Sequence, residues 1–185
     1  MKKSTWQIIF SGVGGQGLLL SGSLLGAAAA IHEGKQAVMT ADYGSEARGS
    51  FTKADLIISG GYIAFPEVVK PDVIVALAGV AYDRYAETAE EGTLIIYNSD
   101  QAQEKPSRAK QVGLPFDEIA ASGDKRGGPV NMASLGALVE LTGAAKAESV
   151  ELALRKRFAD KEKVAEANIR AFHRGAEAAR AFNEK

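Results

Sequence analysis

The sequence predicts a three-layer α/β domain with a mostly parallel sheet, an antiparallel portion and a helical C-terminal tail. Three observations carry that prediction. Short, branched apolar runs alternate with helix-length segments. The first run leads into a glycine-rich turn that opens a helix. The last third of the chain is helical by its three-to-four spacing of apolar residues.

Taken in order, residues 6–11 (Trp-Gln-Ile-Ile-Phe-Ser) read as a short buried strand, and the glycine cluster 12–17 follows it. Residues 18–32 read as a helix, which Gly34 can end in a left-handed cap. Residues 36–40 are a second strand, so strand, tight loop, helix and strand make a parallel βαβ unit. Residues 41–50 are polar and punctuated by glycine, a loop. Residues 51–59 alternate, with Thr52, Ala54, Leu56 and Ile58 on one side and Lys53 and Asp55 on a wetter side. Gly60-Gly61 can turn the chain toward Tyr62.

Val73-Ile74-Val75-Ala76-Leu77 is continuous, branched and short, the pattern of a central strand. A helix over residues 80–90, closed by Gly92, leads to a strand at 93–97. Residues 112–114 are a last strand, and 115–121 a short helix. Helices then fill 132–141, 149–158 and 161–182, the last with Val164, Asn168, Phe172, Gly175, Ala179 and Phe182 as its packed face. With no internal repeat or linker, residues 1–185 read as one Rossmann-like domain.

Composition sets bounds on function. With 185 residues the chain can bury roughly two thirds of its unfolded surface. A net charge of -1 with scattered Lys and Arg gives no pull toward nucleic acid or anionic membrane. No apolar stretch is long enough to span a bilayer, and the apolar run after Met1-Lys2-Lys3 is too short for a signal peptide, so a cytoplasmic protein is expected. Cysteine is absent, which excludes disulfides, thiolate-held iron–sulfur clusters and a cysteine nucleophile. His32 and His173 stand alone and show no metal-ligand spacing, so no metal site is expected.

Three loops carry the candidate chemistry. Gly12-Val13-Gly14-Gly15-Gln16-Gly17 fits G-x-G-x-x-G between a strand and a helix. Glycines admit positive φ and let backbone approach an anion, while the helix N-terminus supplies open N–H groups. The same glycines would also serve a plain tight turn. The second loop, Asp42-Tyr43-Gly44-Ser45-Glu46-Ala47-Arg48-Gly49-Ser50, follows the second strand, where open α/β sheets place ligands. Arg48 can clamp a phosphate or carboxylate, Glu46 can orient it, and Tyr43 offers a ring face and a hydroxyl. The alternative is a solvated loop with a local Glu–Arg pair. The third loop, Lys125-Arg126-Gly127-Gly128-Pro129-Val130-Asn131, precedes a helix, with Asn131 a candidate N-cap and Lys125 and Arg126 able to reach an anion or partner. Asn98 reads as a turn residue. No nucleophile–base–acid arrangement is legible, so no catalytic residue is assigned.

Taken together, these loops resemble the gamma subunit of 2-oxoacid:ferredoxin oxidoreductases. The resemblance rests on Gly12-x-Gly14-Gly15-Gln16-Gly17, on Asp42-Tyr43-Gly44-Ser45-Glu46-Ala47-Arg48-Gly49, on Asn131 with Leu135-Gly136-Ala137, and on Asn168 and Gly175. Many members carry a second glycine where this chain has Ser50. Such enzymes oxidise a 2-oxo acid with coenzyme A to acyl-CoA and carbon dioxide, and pass electrons to ferredoxin.

The resemblance implies a non-autonomous subunit contributing to assembly and to the coenzyme A and thiamine cleft. Gly12, Gly14, Gly15, Gln16, Gly17, Tyr43, Ser45, Glu46, Arg48, Gly49 and Asn131 are its expected contact residues. It places thiamine diphosphate, magnesium and the iron–sulfur clusters on partner alpha and beta subunits and on a delta, ferredoxin-like subunit. It favours 2-oxoglutarate mildly over pyruvate and ketoisovalerate. Two other readings stand beside it. One is a free-standing NAD-dependent dehydrogenase using Gly12, Gly14, Gly17 and Asp42, and the other is a pure assembly module.

Overall fold

The computed structural model describes residues 3–43, 51–121 and 128–184. Among them the chain forms β1 (Thr5–Val13), α1 (Leu18–Ala27), a π-helical turn (Ala28–His32), β2 (Gln36–Tyr43), β3 (Phe51–Ser59) and β4 (Val73–Ala76). It continues with α2 (Gly79–Thr88), β5 (Leu94–Asn98), β6 (Lys110–Leu114), α3 (Phe116–Ala121), α4 (Val130–Thr142), α5 (Ala147–Arg157) and α6 (Glu162–Asn183).

The six strands make one sheet in the order β2-β3-β1-β4-β5-β6. The pairs β1–β4, β4–β5 and β5–β6 are parallel, whereas β3 pairs antiparallel with both β1 and β2. β3 is therefore the one described strand that runs against the others. Its position corrects the simple βαβ reading of residues 6–40. β2 does run parallel to β1, but β3 is inserted between them, so the two strands never meet. The hairpin β2–β3 makes this cheap: after α1 delivers β2 to the edge, the chain turns back into the gap.

The sheet is covered unequally. On one face Ile8, Phe10, Leu56, Ile58, Val75 and Ile96 pack under α1, α3, α4, α5 and α6. On the other, Ile9, Ile74, Ile95 and Tyr97 meet Ala81, Tyr82 and Ala86 of α2. β4 sits at the centre with every residue of Val73–Ala76 buried, as its continuous branched run requires. β3 departs from expectation on its second face. Asp55 is 4% exposed rather than wet, and its carboxylate holds the Lys53 ammonium at 2.8 Å.

Small residues set the helix spacing. A Cβ on Gly22 would lie 2.8 Å from Met39 Sδ, so any larger residue there would make the Met39 side chain move where α1 lies on β2. α4 is buried from Asn131 to Val139 without interruption, which fits a helix apolar all round. It crosses α6 at two glycines. A Cβ on Gly136 would lie 1.8 Å from the Phe172 carbonyl, and one on Gly175 would lie 1.8 Å from the Ala133 carbonyl. The C-terminal helices are thus a packed layer of the domain. The buried face of α6 is Ala165, Asn168, Ile169, Ala171, Phe172, Gly175 and Ala179. Val164 and Phe182, expected on that face, are 41% and 40% exposed, because the stripe drifts around a helix of this length. His173 is not alone either, since its Nε2 lies 3.0 Å from Glu151 Oε1.

Candidate functional site

β1 runs on through Gly12 to Val13 before the glycine loop begins. Gly15 and Gly17 have φ of 95° and 75°, the left-handed region that only glycine adopts without strain. Gly17 is the N-cap of α1 and supplies no side chain, so the first-turn N–H groups of α1 have no side-chain cap. Gln16 folds back under the loop. Its Oε1 accepts from the Val13 N–H at 2.8 Å, and its Nε2 donates to the Leu77 carbonyl at 3.1 Å, just beyond β4. A Cβ on Gly12 would strike that same Oε1 at 2.1 Å. Gln16 and Gly12 therefore fix the loop against the sheet, while Gly14 and Gly15 are its exposed tip.

Asn131 does not cap α4. Pro129 is the N-cap, and Asn131 lies inside the first turn of the helix, 8% exposed. Its Nδ2 donates to the Gly17 carbonyl at 3.1 Å, and its own carbonyl accepts from Ser21 Oγ at 3.3 Å. The third motif thus holds the N-terminus of α1 in place. The second motif meets the first through the sheet: Tyr43 pairs with Thr52, and Thr52 pairs with Gly12. The segment between β2 and β3 therefore leaves and re-enters the sheet about 10 Å or less from the glycine loop, two strand spacings at most. Ser45, Glu46, Arg48 and Gly49 lie in that segment, and like Lys125 and Arg126 they fall outside the described residues; of Tyr43 only the backbone is described. A groove of about 330 Å³ at this edge is lined by residues of the glycine loop, Leu18, Leu19 and Thr52.

The same register removes the acid a dinucleotide site needs. Asp42 lies on β2, which β3 separates from β1, so it does not stand on the strand adjacent to the glycine loop. Asn98, 1% exposed, accepts from the Asp100 and Phe116 N–H groups and shapes the turn after β5, the structural role expected of it.

A larger cavity, about 850 Å³, opens on the opposite face between the sheet and α2. Lys53, Arg84, Tyr85, Phe51 and Asp42 line one end of it. The Arg84 guanidinium lies 4.4 Å from the Phe51 ring centre. Burial pushes the Tyr85 hydroxyl up, against the pull of the Lys53 ammonium. Burial alone would lower Lys53, but the Asp55 carboxylate holds it above its ordinary value. Apart from Asp42 no sequence motif marks this cluster: its members come from β2, β3 and α2, and only the register brings them together.

The sequence profile for pyruvate ferredoxin/flavodoxin oxidoreductase matches residues 7–178. The 2-oxoglutarate synthase subunit KorC of Methanocaldococcus jannaschii is 38% identical over 177 residues, covering 94% of each chain. The crystal structure of the keto/oxoacid ferredoxin oxidoreductase gamma subunit of Geobacter sulfurreducens superposes with a TM-score of 0.81 at 36% identity, over 95% of this chain and 99% of that one. A 2-oxoglutarate:ferredoxin oxidoreductase of Magnetococcus marinus, with 2-oxoglutarate, coenzyme A and succinyl-CoA bound, shares the fold at a TM-score of 0.85 and 24% identity. The match spans 97% of this chain and 32% of that one.

Proposed function

The chain belongs to the pyruvate ferredoxin/flavodoxin oxidoreductase family and is a gamma subunit of a multi-subunit 2-oxoacid:ferredoxin oxidoreductase, and on that premise we propose that it forms one wall of the coenzyme A cleft in a 2-oxoglutarate-oxidising complex. Gly14, Gly15 and the first turn of α1 present backbone N–H groups to a phosphate of coenzyme A. Gly12, Gln16, Gly17 and Asn131 hold that loop in shape. Tyr43, Ser45, Glu46, Arg48 and Gly49 line the cleft from the neighbouring segment, with Arg48 the anion clamp.

The observation that carries the reading is Gly14. It is exposed, its φ is not positive, and nothing lies within 4 Å of the place a Cβ would take. Nothing within the described chain requires a glycine there, which favours a requirement set by a group approaching from outside. The 38% identity to a 2-oxoglutarate synthase subunit supports the choice of oxo acid.

This chain is not suited to hold the redox groups. It has no cysteine, and among the described residues no three His, Asp or Glu side chains are grouped to hold a metal ion. We therefore assign thiamine diphosphate, magnesium and the iron–sulfur clusters to alpha, beta and delta-type partners. Electrons pass through those partners to ferredoxin. Among the described residues no helix is long and apolar enough to cross a membrane, and we place the complex in the cytoplasm. Residues 1–185 act in it as one gamma-type domain.

The test is purification of the chain with its native partners under mild conditions. The eluate is assayed beside the isolated chain for viologen reduction dependent on a 2-oxo acid and coenzyme A. The expected result is activity in the eluate, preferentially with 2-oxoglutarate, and none from the isolated chain. Arg48→Ala should raise the KM for coenzyme A more than it lowers kcat. If it reduces only the yield of assembled enzyme, the chain is an assembly module. If no partner copurifies and no oxo acid supports reduction, the proposal fails.

A further inference from the structure

Leu20, Leu24, Ala27 and Ile31 lie along α1 and the π-helical turn at spacings of four, three and four residues. That is the spacing with which one helix presents a seam to another. With Ala153 of α5 they form the floor of a groove of about 380 Å³. Leu24 is 3% exposed and belongs to the core, whereas Ile31 is 58% exposed at the groove's end. The π-helical turn explains Ile31. Within the wider turn at Ala28–His32 each residue steps less far around the axis than in an α-helix, so Ala28 and Ala29 stay buried while Ile31 stands out. Leu152, which precedes Ala153 on α5, is 52% exposed.

The rim is basic. His32, Lys156 and Arg157 line it. The neighbouring carboxylates are already engaged, Glu33 with Lys35 at 2.8 Å and Glu151 with His173 at 3.0 Å. Among the described residues neither Lys156 nor Arg157 meets a carboxylate.

We propose that this groove docks an amphipathic helix of another subunit of the same enzyme, its apolar side chains in the groove and its Asp and Glu residues against Lys156, Arg157 and His32. The seam spacing calls for a helix, and the rim calls for an acidic one. A second copy of this chain fits poorly, because a two-fold axis through the groove would bring two basic rims face to face. A covering partner is expected, since the chain is one subunit of a multi-subunit enzyme. The inference rests on the chain's working within a multi-subunit enzyme.

The chain contains no cysteine, so Ile31→Cys introduces a single thiol. Its rate of maleimide labelling is measured in the isolated chain and in the assembled, active enzyme. Protection on the order of tenfold or more is expected on assembly. A photo-cross-linker attached to the introduced thiol is expected to capture a partner-subunit peptide of helical pattern rich in Asp and Glu. Ser23→Cys, exposed on the same groove, repeats the measurement should Ile31→Cys fold poorly. The double neutralisation Lys156→Gln with Arg157→Gln should weaken partner retention by far more than it lowers the melting of the isolated chain, where the two side chains sit in the last turn of α5. Equal labelling in an active complex, or cross-linking to a second copy of this chain, overturns the groove and leaves the subunit assignment standing. Failure of any subunit to copurify overturns both.

Discussion

Gly14 and Gly17 are three positions apart and should respond to the same substitution in opposite ways. Among the described residues Gly14→Ala meets no atom, and it needs no unusual φ. Its stability should stay within about 0.5 kcal/mol of the parent, while the KM for coenzyme A in the assembled enzyme rises. Gly17→Ala forces φ of 75° on a residue with a Cβ and drives that atom to 2.4 Å from Asn131 Nδ2. It should cost roughly 1–3 kcal/mol in urea unfolding, and loosen the link between α1 and α4 as well. A coenzyme A dependence unmoved by Gly14→Ala would remove the reason for placing a ligand at the loop.

Glu33 offers a pH test. It accepts from the Lys146 N–H at 2.6 Å and pairs with Lys35, whose ammonium also donates to the Ala144 carbonyl at 3.0 Å. Burial alone would raise its pKa, but these partners and the Ser149 hydroxyl hold it below its ordinary value of 4.5. A carboxylate depressed in the folded state stabilises above its unfolded pKa, and loses that contribution as pH falls through the folded value. Glu33→Gln should therefore be less stable by roughly 1 kcal/mol at pH 7, with the difference closing as pH drops below 4.5. A gap that persists undiminished into acid would show that the residue acts by packing alone.

At the scale of elements, the crossing of α4 over α6 is the most exacting contact. Each glycine at the crossing admits the other helix's backbone, Gly136 against Phe172 and Gly175 against Ala133. Gly175→Ala should lower stability by about 3 kcal/mol or more, the upper end of what overpacking costs, because backbone rather than a flexible side chain must give way. Adding Gly136→Ala should cost less than a second full penalty, since the first substitution has already parted the helices. Because α4 carries Asn131, and Asn131 holds the Gly17 carbonyl, the same variant should also weaken coenzyme A binding from a distance. Thermal melts together with coenzyme A titrations of the assembled enzyme separate these effects.

For the whole molecule, the sheet order predicts a gradient of local stability. β4 is central and buried throughout, whereas β2 is an edge strand only partly covered. In hydrogen exchange of the isolated chain, amides of Val73–Ala76 should open only with global unfolding. Those of Gln36–Tyr43 on its free edge should exchange by local fraying. Uniform protection across the sheet would contradict the layer description. Protection of β2 that appears only in the complex would mark that edge as covered by a subunit.

The local order of the chain was legible from the sequence alone. Ile8–Phe10 and Val73–Ala76 could only be strands of a covered sheet, and Gly15 and Gly17 could only be a tight strand-to-helix turn. Residues 132–141 read as a helix, and the structure shows it buried from Asn131 to Val139. Each of these rests on propensity and periodicity, which act over a few residues. That the glycine loop and the Asp42–Ser50 segment each follow a strand was legible too, and β1 and β2 do run the same way, whereas the third motif follows α3. The insertion of β3 between β1 and β2 was not legible, because pairing partners are selected by which whole faces bury most area, and Phe51–Ser59 carries apolar residues enough for either position. That one placement puts Asp42 a strand away from the glycine loop, buries Asp55 with Lys53 beneath α2, and brings Tyr43, Thr52 and Gly12 into a single row. Asn131 reads from sequence as a cap for its own helix. Only tertiary packing, which brings α4 against the start of α1, turns its amide toward the Gly17 carbonyl, because a hydrogen bond between residues 114 positions apart depends on the fold and not on its neighbours in the chain.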